Sequence, residues 1–415
     1  MYKIDSTAQY IKIFPNENLH SLIISNHTKI ESWFRKQWVK YPAPFYTSID
    51  LRNSGYKIAP IDTNLFPAGF NNLDRNLEFL YVSAIQHALE RISPTMNKVL
   101  LIGESHTRNK FYNDNIHYLS NLIHKAGYQI KFVTLMNNEL ENKGFRLDND
   151  ILSFDEFVPD IIILNNDLSN GIPDILNRVK QPIIPHKNIG WTNRSKTSHF
   201  EYYSNVASNF SRLLDLDTWL LEPLFRNCGE IDFQTKQGED CIVHHASRLF
   251  ELIKEKYRCY GINEDPYIMI KADSGTYGMG IIQIKSIDEL LNLNRKQRTK
   301  MTRIKGGNKL DKVILQEGIY SNETLHAKTS IAEPVIYSFG NNLVGGFYRL
   351  HSSKNNSENL NSPGMTFHPI PFKEACISPN SNETIYSDTN KFYIYGVVAR
   401  LAILAASKEL YNIEI

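Results

Sequence analysis

The 415-residue sequence predicts an α/β region in its first half and an antiparallel α+β region in its second half. Between residues 99 and 164, short apolar strands alternate with helical segments, as in a parallel sheet with crossover helices. From residue 267 onward, apolar strands are separated by turns and short helices, and a long helix ends the pattern. This length and these two patterns predict two or three structural units.

The composition is that of an ordinary globular protein, with 42% hydrophobic and 22% charged residues. The formal net charge of +2 gives no electrostatic argument for nucleic acid or membrane partners. No apolar run approaches the roughly 20 residues that span a bilayer, and the first residues do not resemble a signal peptide. We therefore expect a cytoplasmic protein.

The cysteines form no CxxC pair, and their spacing predicts no zinc site with histidines. A disulfide framework is not expected either, and a reducing compartment is the simplest interpretation. The cysteines are Cys228, Cys241, Cys259 and Cys376.

The first elements follow from apolar spacing. Residues 19–40 have the period of an amphipathic helix, and residues 47–64 predict two short strands around a turn. A further helix is expected over residues 72–92, ending before Pro94.

The predicted parallel sheet comes next. Strands at 99–102, 130–135 and 161–164 are apolar, and a helix at 113–125 connects the first two. Functional loops are expected at the carboxyl ends of these strands. Residues 199–258 are predicted to be mainly helical.

The second half is predicted to alternate short strands with few helices. The strands are expected at 268–270, 281–284, 313–316, 335–337 and 343–349, and the helices at 287–293 and 393–411. The polar segment 352–361 is predicted to be a loop.

The segment IMIKADSGTYGMGI, residues 268–281, is the strongest chemical signal. Lys271 ends a buried strand, and burying its charge is costly unless the lysine meets an anion. The glycines that follow allow main-chain amides to close over phosphates, although the spacing is neither a P-loop nor a dinucleotide fingerprint. A plain glycine hairpin with a lysine reaching solvent is the alternative.

A second signal is Asp62 with Asn64, two residues apart on a predicted strand. Their side chains share one face, and paired oxygen ligands suit Mg²⁺ held against phosphates. An Asx turn before Pro67 is the alternative.

Four further segments are candidates for substrate contacts. These segments contain Thr107, Arg108, Asn109 and Asn113; Asn166 and Asp167; Arg194, Lys196 and His199; and Arg349 with Asn361. Arginine can neutralise a phosphate or carboxylate through two hydrogen bonds. Helix capping and solvated basic turns are the alternatives.

The order of strand, lysine, glycine loop, strand and helix, followed by VILQEGI, resembles the ATP-grasp fold. That resemblance implies phosphate contacts from Lys271 and the glycine loop, and adenine contacts from the later strand. The implied nucleotide-binding residues are Lys271, Ser274, Gly275, Thr276, Tyr277, Gly278, Gln316, Glu317 and Ile319.

Longer strings, including SIDLRNSGYKIAPIDTNLFPAGFNNL and AEPVIYSFGNNLVGGFYRLH, are similar to the proteobacterial ATP-grasp-type glutamate–cysteine ligases. The resemblance implies that ATP, Mg²⁺, glutamate and cysteine are bound, with Lys271, Arg349 and Lys196 as catalytic groups. The implied metal ligands are Asp62, Asn64, Asp50 and Asp273.

Eukaryotic-type glutathione synthetases carry related patterns, EIN before SFGGL and ERNIFDQ. In this sequence Asp62 replaces the first glutamate, and Thr107 replaces the glutamate of the second pattern, which implies a different substrate. Asn109 and Asn113 match the first asparagine and the glutamine of that second pattern, and these positions contact substrate in that family.

The resemblance also implies a circularly permuted ATP-grasp fold. Residues 1–95 would contribute metal-ligand strands, 96–195 would form a βαβ substrate-binding domain, and 196–415 would bind nucleotide. Another ATP-grasp ligase, such as a glutathione synthetase, and a non-catalytic nucleotide-binding regulator are the alternative functions. Assembly into a homo-oligomer is left open.

Overall fold

The structure is a computed structural model of the chain. It describes residues 17–104, 110–136, 143–275, 280–302, 309–325, 330–370 and 378–414. Among these residues, no helix is both long enough and apolar enough to cross a membrane.

Ten α-helices are present in the described part of the chain. They are α1 (Glu17–Ser25), α2 (His27–Lys40), α3 (Glu78–Glu90), α4 (Lys110–Lys125), α5 (Asp174–Asn177), α6 (Lys196–Leu214), α7 (Glu239–Tyr260), α8 (Ile287–Leu291), α9 (Arg295–Lys300) and α10 (Asp388–Glu414).

Sixteen β-strands lie within the same described ranges. They are β1 (Tyr46–Asn53), β2 (Ile58–Asn64), β3 (Lys98–Gly103), β4 (Gln129–Thr134), β5 (Phe145–Asp148), β6 (Ile151–Phe154), β7 (Ile161–Asn165), β8 (Ile183–Ile184), β9 (Phe225–Cys228), β10 (Ile268–Ala272), β11 (Ile281–Ile284), β12 (Val313–Glu317), β13 (Thr324–Leu325), β14 (Ser330–Phe339), β15 (Asn342–His351) and β16 (Thr366–Pro369).

The largest sheet joins the two ends of the chain. Its order is β16-β15-β14-β1-β2, with β13 also paired to β14. β1 runs antiparallel to β14, with Ile49 opposite Ile336, and also antiparallel to β2. The prediction that the strands near Ile49 and Ile61 share a sheet with the C-terminal region is confirmed.

Helix α10 packs against β1, β2 and β14 of this sheet. Its stretch from Val397 to Ala406 is buried on all sides, as expected for a helix that is apolar around its circumference. Arg400 interrupts that stretch, and its guanidinium forms a salt bridge of 2.7 Å with Glu31 of α2. The pairing explains how a charge is tolerated within this buried helix.

A second antiparallel sheet has the order β11-β10-β12-β9. It confirms the predicted antiparallel character of the second half of the chain. The expectation of a mainly helical segment at 199–258 holds for α6 and α7 but missed β9, which pairs with β12 through Cys228 and Val313. Strand β9 has only four residues, too few to display an apolar period of its own.

The predicted parallel sheet is confirmed, with the order β4-β3-β7-β8. β3 lies parallel to both β4 and β7, and the β3 and β7 strands are fully buried or nearly so. Strands that are buried on both faces form continuous apolar runs. The runs VLLI and IIIL therefore predicted these two strands correctly. The carboxyl end of β7 places Asn165 at the edge from which functional loops emerge.

Candidate active site

A cavity of about 980 Å³ lies where the three main sheets meet. Its walls include residues of β1, β2, β14 and β15, of β10 and β12, and of the loop after β7. This volume is in the range of pockets that hold small molecules and cofactors. The predicted site residues among its lining are Asp50, Asp62, Asn64, Asp167, Lys271, Gln316, Glu317, Ile319, Arg349 and Asn361.

Lys271 joins two sheets inside this cavity. Its Nζ donates to the main-chain oxygen of Ile61 at 2.9 Å and to Oε1 of Gln316 at 2.6 Å. The salt bridges of the described residues include none from Lys271, so its charge has no direct carboxylate partner there. Burial lowers the pKa of Lys271 to about 8, although the charge of Asp62 opposes the shift. A buried cation in this state is suited to receive an anionic group.

Gln316, on strand β12, is the residue whose side chain accepts the hydrogen bond from Lys271. Its Nε2 is buried and has no hydrogen-bond partner among the described residues. A buried donor without a partner costs free energy, about 1–3 kcal/mol. A ligand acceptor in the cavity would satisfy it, so Gln316 fits the predicted nucleotide-binding position.

Lys196 is the first residue of α6 and lies beside Asp62 of strand β2. Its Nζ is 3.3 Å from Oδ1 of Asp62 and donates to the main-chain oxygen of Gly275 at 3.1 Å. The same ammonium lies 4.1 Å from the centre of the Trp191 ring. Lys196 therefore connects the start of the glycine loop to the predicted metal strand.

Asp62 and Asn64 both line the cavity, whereas Thr63 between them is buried away from it. The predicted sharing of one strand face is thus confirmed. Burial by itself raises the pKa of Asp62, but the charges of Lys196, Lys271 and Arg194 outweigh it and hold the pKa below its usual value. Asp62 is therefore ionised at neutral pH.

Asp273 lies beside the start of α6. Its Oδ1 accepts hydrogen bonds from the main-chain N and Oγ1 of Thr197, at 2.8 and 2.7 Å, which holds the first turn of α6. It is not among the residues that line the cavity. The carboxylate therefore caps the N-terminus of α6, where negative charge is favourable.

Arg349 belongs to a buried network of charges on β1, β14 and β15. Its Nη1 lies 3.0 Å from Oδ2 of Asp50 and 2.5 Å from Oε1 of Glu333. Arg52 completes the network, with its Nε 3.1 Å from Oε2 of Glu333. The four charges cancel, and sequence reasoning had identified only Arg349 and Asp50.

The titration of this network follows from burial and pairing. Burial raises the pKa of Asp50, with the Arg349 charge opposing it. Burial also acts to lower the pKa of Arg349, but Asp50 and Glu333 outweigh it and raise that pKa. Nε of Arg349 is buried without a partner among the described residues, so one donor remains for a ligand in the cavity.

Glu317 and Ile319 follow Gln316 along the chain. Glu317 is bonded to the protein on several sides, with Lys57 at 2.8 Å and Nε1 of Trp219 at 3.0 Å. The main-chain oxygen of Ile319 accepts from Arg52 at 2.9 Å. Glu317 thus fixes this edge of the cavity, while Gln316 retains a free donor.

Two predicted substrate residues serve the scaffold instead. Arg194 forms a salt bridge of 2.8 Å with Glu409 of α10 and donates to the main-chain oxygen of Thr63 at 2.8 Å. Neither Arg194 nor Asn166 is among the cavity-lining residues, and Oδ1 of Asn166 accepts from the main-chain N of Leu168 in a turn. The neighbouring prediction, Asp167, does line the cavity.

Two buried asparagines, Asn165 and Asn115, lie one and two residues from the predicted Asn166 and Asn113, and only Asn165 lines the cavity. Nδ2 of Asn165 donates to the main-chain oxygen of Pro67 at 2.9 Å, and Oδ1 of Asn115 accepts from the main-chain N of Gly69 at 2.8 Å. Both bonds hold the loop after β2, whereas the predicted Asn113 is exposed on α4. The apolar spacing of the sequence could have identified both residues, because Asn115 falls on the buried face of α4 and Asn165 ends a buried strand.

Some predicted residues lie outside the described part of the chain. These are Thr107, Arg108 and Asn109 of the loop after β3, and Thr276, Tyr277 and Gly278 of the glycine loop.

Comparisons with known proteins indicate to which family the chain belongs. A sequence model of the family described as glutamate-cysteine ligase matches residues 20–410. A solved structure from Methylobacillus flagellatus KT, assigned as a gamma-glutamylcysteine synthetase, is 44% identical with a TM-score of 0.85. That match covers 95% of this chain and 96% of the other. No match is found among the curated proteins.

Two more distant structures are too dissimilar to support an argument. A glutathione synthetase-like effector from Globodera pallida is 10% identical with a TM-score of 0.39, covering 80% of this chain and 77% of the other. D-alanyl-alanine synthetase A from Vibrio cholerae is 13% identical with a TM-score of 0.28, covering 54% and 60%. The family match over nearly the whole chain and the 44% identical structure are sufficient by themselves: this chain belongs to the glutamate-cysteine ligase family.

Proposed function

We propose that this chain joins the γ-carboxylate of L-glutamate to the amine of L-cysteine, with ATP as the third substrate and Mg²⁺ as the metal. The product would be γ-glutamylcysteine, which makes the reaction the first step of glutathione biosynthesis. The single observation that carries the proposal is Lys271, a buried cation without a carboxylate partner in a cavity of about 980 Å³. Family membership supplies the reaction class.

The chemistry requires charge neutralisation more than a protein nucleophile. A carboxylate is a poor electrophile, so transfer of the γ-phosphoryl group of ATP to glutamate first forms an acyl phosphate. Phosphoryl transfer depends on positioning and on stabilising the negative oxygens. Lys271, Lys196 and Arg349 are the cationic groups proposed for this role, because Lys271 and Arg349 line the cavity and Lys196 adjoins Asp62.

The second step is attack by the cysteine amine on the acyl phosphate carbon. The C–N bond forms, phosphate leaves, and the amine loses a proton to solvent or to a nearby base. A negative oxygen develops on the carbon in the transition state, where cationic groups stabilise it. The protein therefore needs no Ser–His–Asp or Cys–His arrangement.

The proposed metal ligands are Asp62 and Asn64. Both offer oxygen donors to the cavity, and Asp62 is ionised at neutral pH, which matches the preference of Mg²⁺ for oxygen ligands. When bound, Mg²⁺ would neutralise phosphate oxygens. Asp50 and Asp273 are weaker candidates, because Asp50 is bonded to Arg349 and Asp273 to Thr197.

The nucleotide is proposed to bind along β12 and the glycine loop, at Gln316, Glu317, Ile319, Ser274 and Gly275. The amino acid substrates are proposed to bind toward the loop after β7 and the segment after β15, near Asp167 and Asn361, both of which line the cavity. This division leaves Lys271 between the two substrate regions.

The arrangement is consistent with a circularly permuted ATP-grasp fold in which residues 1–95 complete the sheet of the C-terminal region. The supporting observation is the pairing of β1 with β14, across almost 300 residues of sequence. Residues 96–195 would form the substrate domain and 196–415 the nucleotide-binding region, in a cytoplasmic enzyme.

The direct test is ADP release in the presence of ATP, Mg²⁺ and glutamate, measured with and without cysteine. Sustained ADP release that requires cysteine, with γ-glutamylcysteine identified by mass spectrometry, is the expected result. Turnover only with γ-glutamylcysteine and glycine would instead indicate a glutathione synthetase. ATP binding without any amino-acid-dependent ADP release would indicate a regulator.

A further inference from the structure

Two cysteines and a histidine meet on the nucleotide-side sheet, outside the cavity. Cys228 is the last residue of β9, while Cys241 and His245 lie one turn apart in the first part of α7. The prediction from sequence spacing that no zinc site exists did not anticipate this contact. It overlooked His245, four residues after Cys241, and β9 itself was not predicted.

The three donor atoms lie close together. The two Sγ atoms are 2.8 Å apart, Nδ1 of His245 is 3.2 Å from Sγ of Cys228, and it is 3.8 Å from Sγ of Cys241. Donors bound to one tetrahedral zinc lie roughly 3.3–3.8 Å apart, given bonds of about 2.3 Å to sulfur and 2.0–2.1 Å to nitrogen. Opening the sulfur–sulfur contact by about 1 Å would therefore fit the trio around such an ion.

The alternative for two sulfurs in contact is a disulfide, but that bond would use only two of the three groups. A shared ion would use all three groups as ligands. Burial lowers the pKa of His245, with a hydrogen bond to the main chain of Asn227 opposing the shift, which favours the neutral ring that metals bind. Burial raises the pKa of the Cys228 thiol, so its proton must leave when a metal binds.

We propose that Cys228, Cys241 and His245 bind a soft divalent cation of the Zn²⁺ type, with a fourth position open to water. Two thiolates and an imidazole are the donors that select this class of metal. Cys241 and His245 are half-buried, which gives the ion a path from solvent and leaves room for the fourth ligand. Each thiol releases its proton to solvent on binding, so affinity falls as the pH is lowered.

The ion would fasten the start of α7 to the end of β9. β9 pairs with β12, the strand that carries Gln316, so the site braces the sheet on which the nucleotide is proposed to bind. None of the three ligands is among the residues that line the cavity. The expected effect is therefore on stability, not on the chemistry of ligation.

Cobalt titration of the full-length, metal-free, reduced protein tests the proposal. Co²⁺ is the probe, because thiolate ligands give it an intense charge-transfer absorption and tetrahedral ligand fields give it visible bands. We expect wild type to bind a single Co²⁺ with both features, to release it on addition of Zn²⁺, and to show a higher Tm with Zn²⁺ than without.

Matched variants separate this site from adventitious binding. Cys228→Ser and Cys241→Ser should each lose intensity in the charge-transfer band, and the double variant should lose the band and the Tm increase. Cys259→Ser and His244→Ala remove an exposed cysteine and an exposed histidine of the same helix, and should behave as wild type. The proposal is overturned if reduced wild type shows no charge-transfer band, or if the band survives in the double variant.

Discussion

Two kinds of buried charge line the cavity, and they differ in how they are neutralised. On β1, β14 and β15, Arg52, Glu333, Arg349 and Asp50 form a closed network in which every charge has an opposite partner. On β10, Lys271 is equally buried but is held by a carbonyl and an amide oxygen. The network is neutralised by its own ion pairs, whereas Lys271 has no salt-bridge partner among the described residues and is affected by the charge of Asp62 only at longer range.

This difference separates scaffold from chemistry within one cavity. A buried ion pair is strongly destabilised when one partner is removed, because the other charge remains uncompensated. A buried cation without a carboxylate partner costs desolvation free energy, and removing it relieves that cost. Variants at Glu333, to which no role in the chemistry is given, should therefore mainly affect folding, and variants at Lys271 should mainly affect turnover.

The largest expected effect is on stability, for Glu333→Gln. The substitution leaves Arg52 without a carboxylate partner among the described residues and Arg349 with Asp50 alone, and should lower the free energy of unfolding by about 3–5 kcal/mol. Urea denaturation followed by circular dichroism measures it. As a matched control, Glu78→Gln breaks the exposed pair with Lys125 and should cost about 0–1 kcal/mol. Equal losses of unfolding free energy in the two variants would show that the buried network contributes no more to stability than a surface ion pair.

The second effect concerns the metal. Asp62→Asn should raise the Mg²⁺ concentration needed for half-maximal activity by roughly 10- to 100-fold, the range seen when groups that support a metal are altered. Asp114→Asn is the control, because that carboxylate is exposed on α4 and lies outside the cavity lining. An unchanged Mg²⁺ requirement in Asp62→Asn would remove Asp62 from the metal site.

A third, smaller effect is the pH dependence of ATP affinity. Lys271 has its pKa lowered to about 8, so the free protein holds the charge below that pH and loses it above. The dissociation constant for ATP should be level up to about pH 7 and rise toward tenfold per unit above pH 8. Lys271→Arg, which stays charged, should show no break near that pH. Equilibrium dialysis measures both, and a break of equal size in Lys271→Arg would assign the titration to another group.

Local patterns predicted much of this architecture. Strand and helix periods located the parallel sheet, and the motif strings identified Lys271, Asp62, Asn64 and Arg349 as residues of one site. Sequence reasoning failed where long-range contacts decide a role. Asp273 is a helix-holding group only because α6 begins beside it.

The same limit applies to two other features. Glu333 had no signal as a partner for Arg52, since the two are 281 residues apart. The cysteine–histidine trio depended on β9, a strand of four residues whose apolar content is too small to distinguish it from a loop. The spacing of apolar residues shows which side of one helix or strand is buried. The roles of Glu333 and of the cysteine–histidine trio depend instead on which helices and strands become neighbours in the fold.

The central claim is that the charge of Lys271 acts on phosphate and is not part of the scaffold. Lys271→Met tests it, because methionine keeps an unbranched apolar chain and removes the ammonium. Turnover of ATP with glutamate and cysteine should fall by about 10²–10³-fold, the loss typical of one charge-stabilising donor, while the free energy of unfolding stays level or rises. Lys125→Met, at an exposed lysine, should leave both quantities unchanged. A folded Lys271→Met enzyme with near-wild-type turnover would contradict the account.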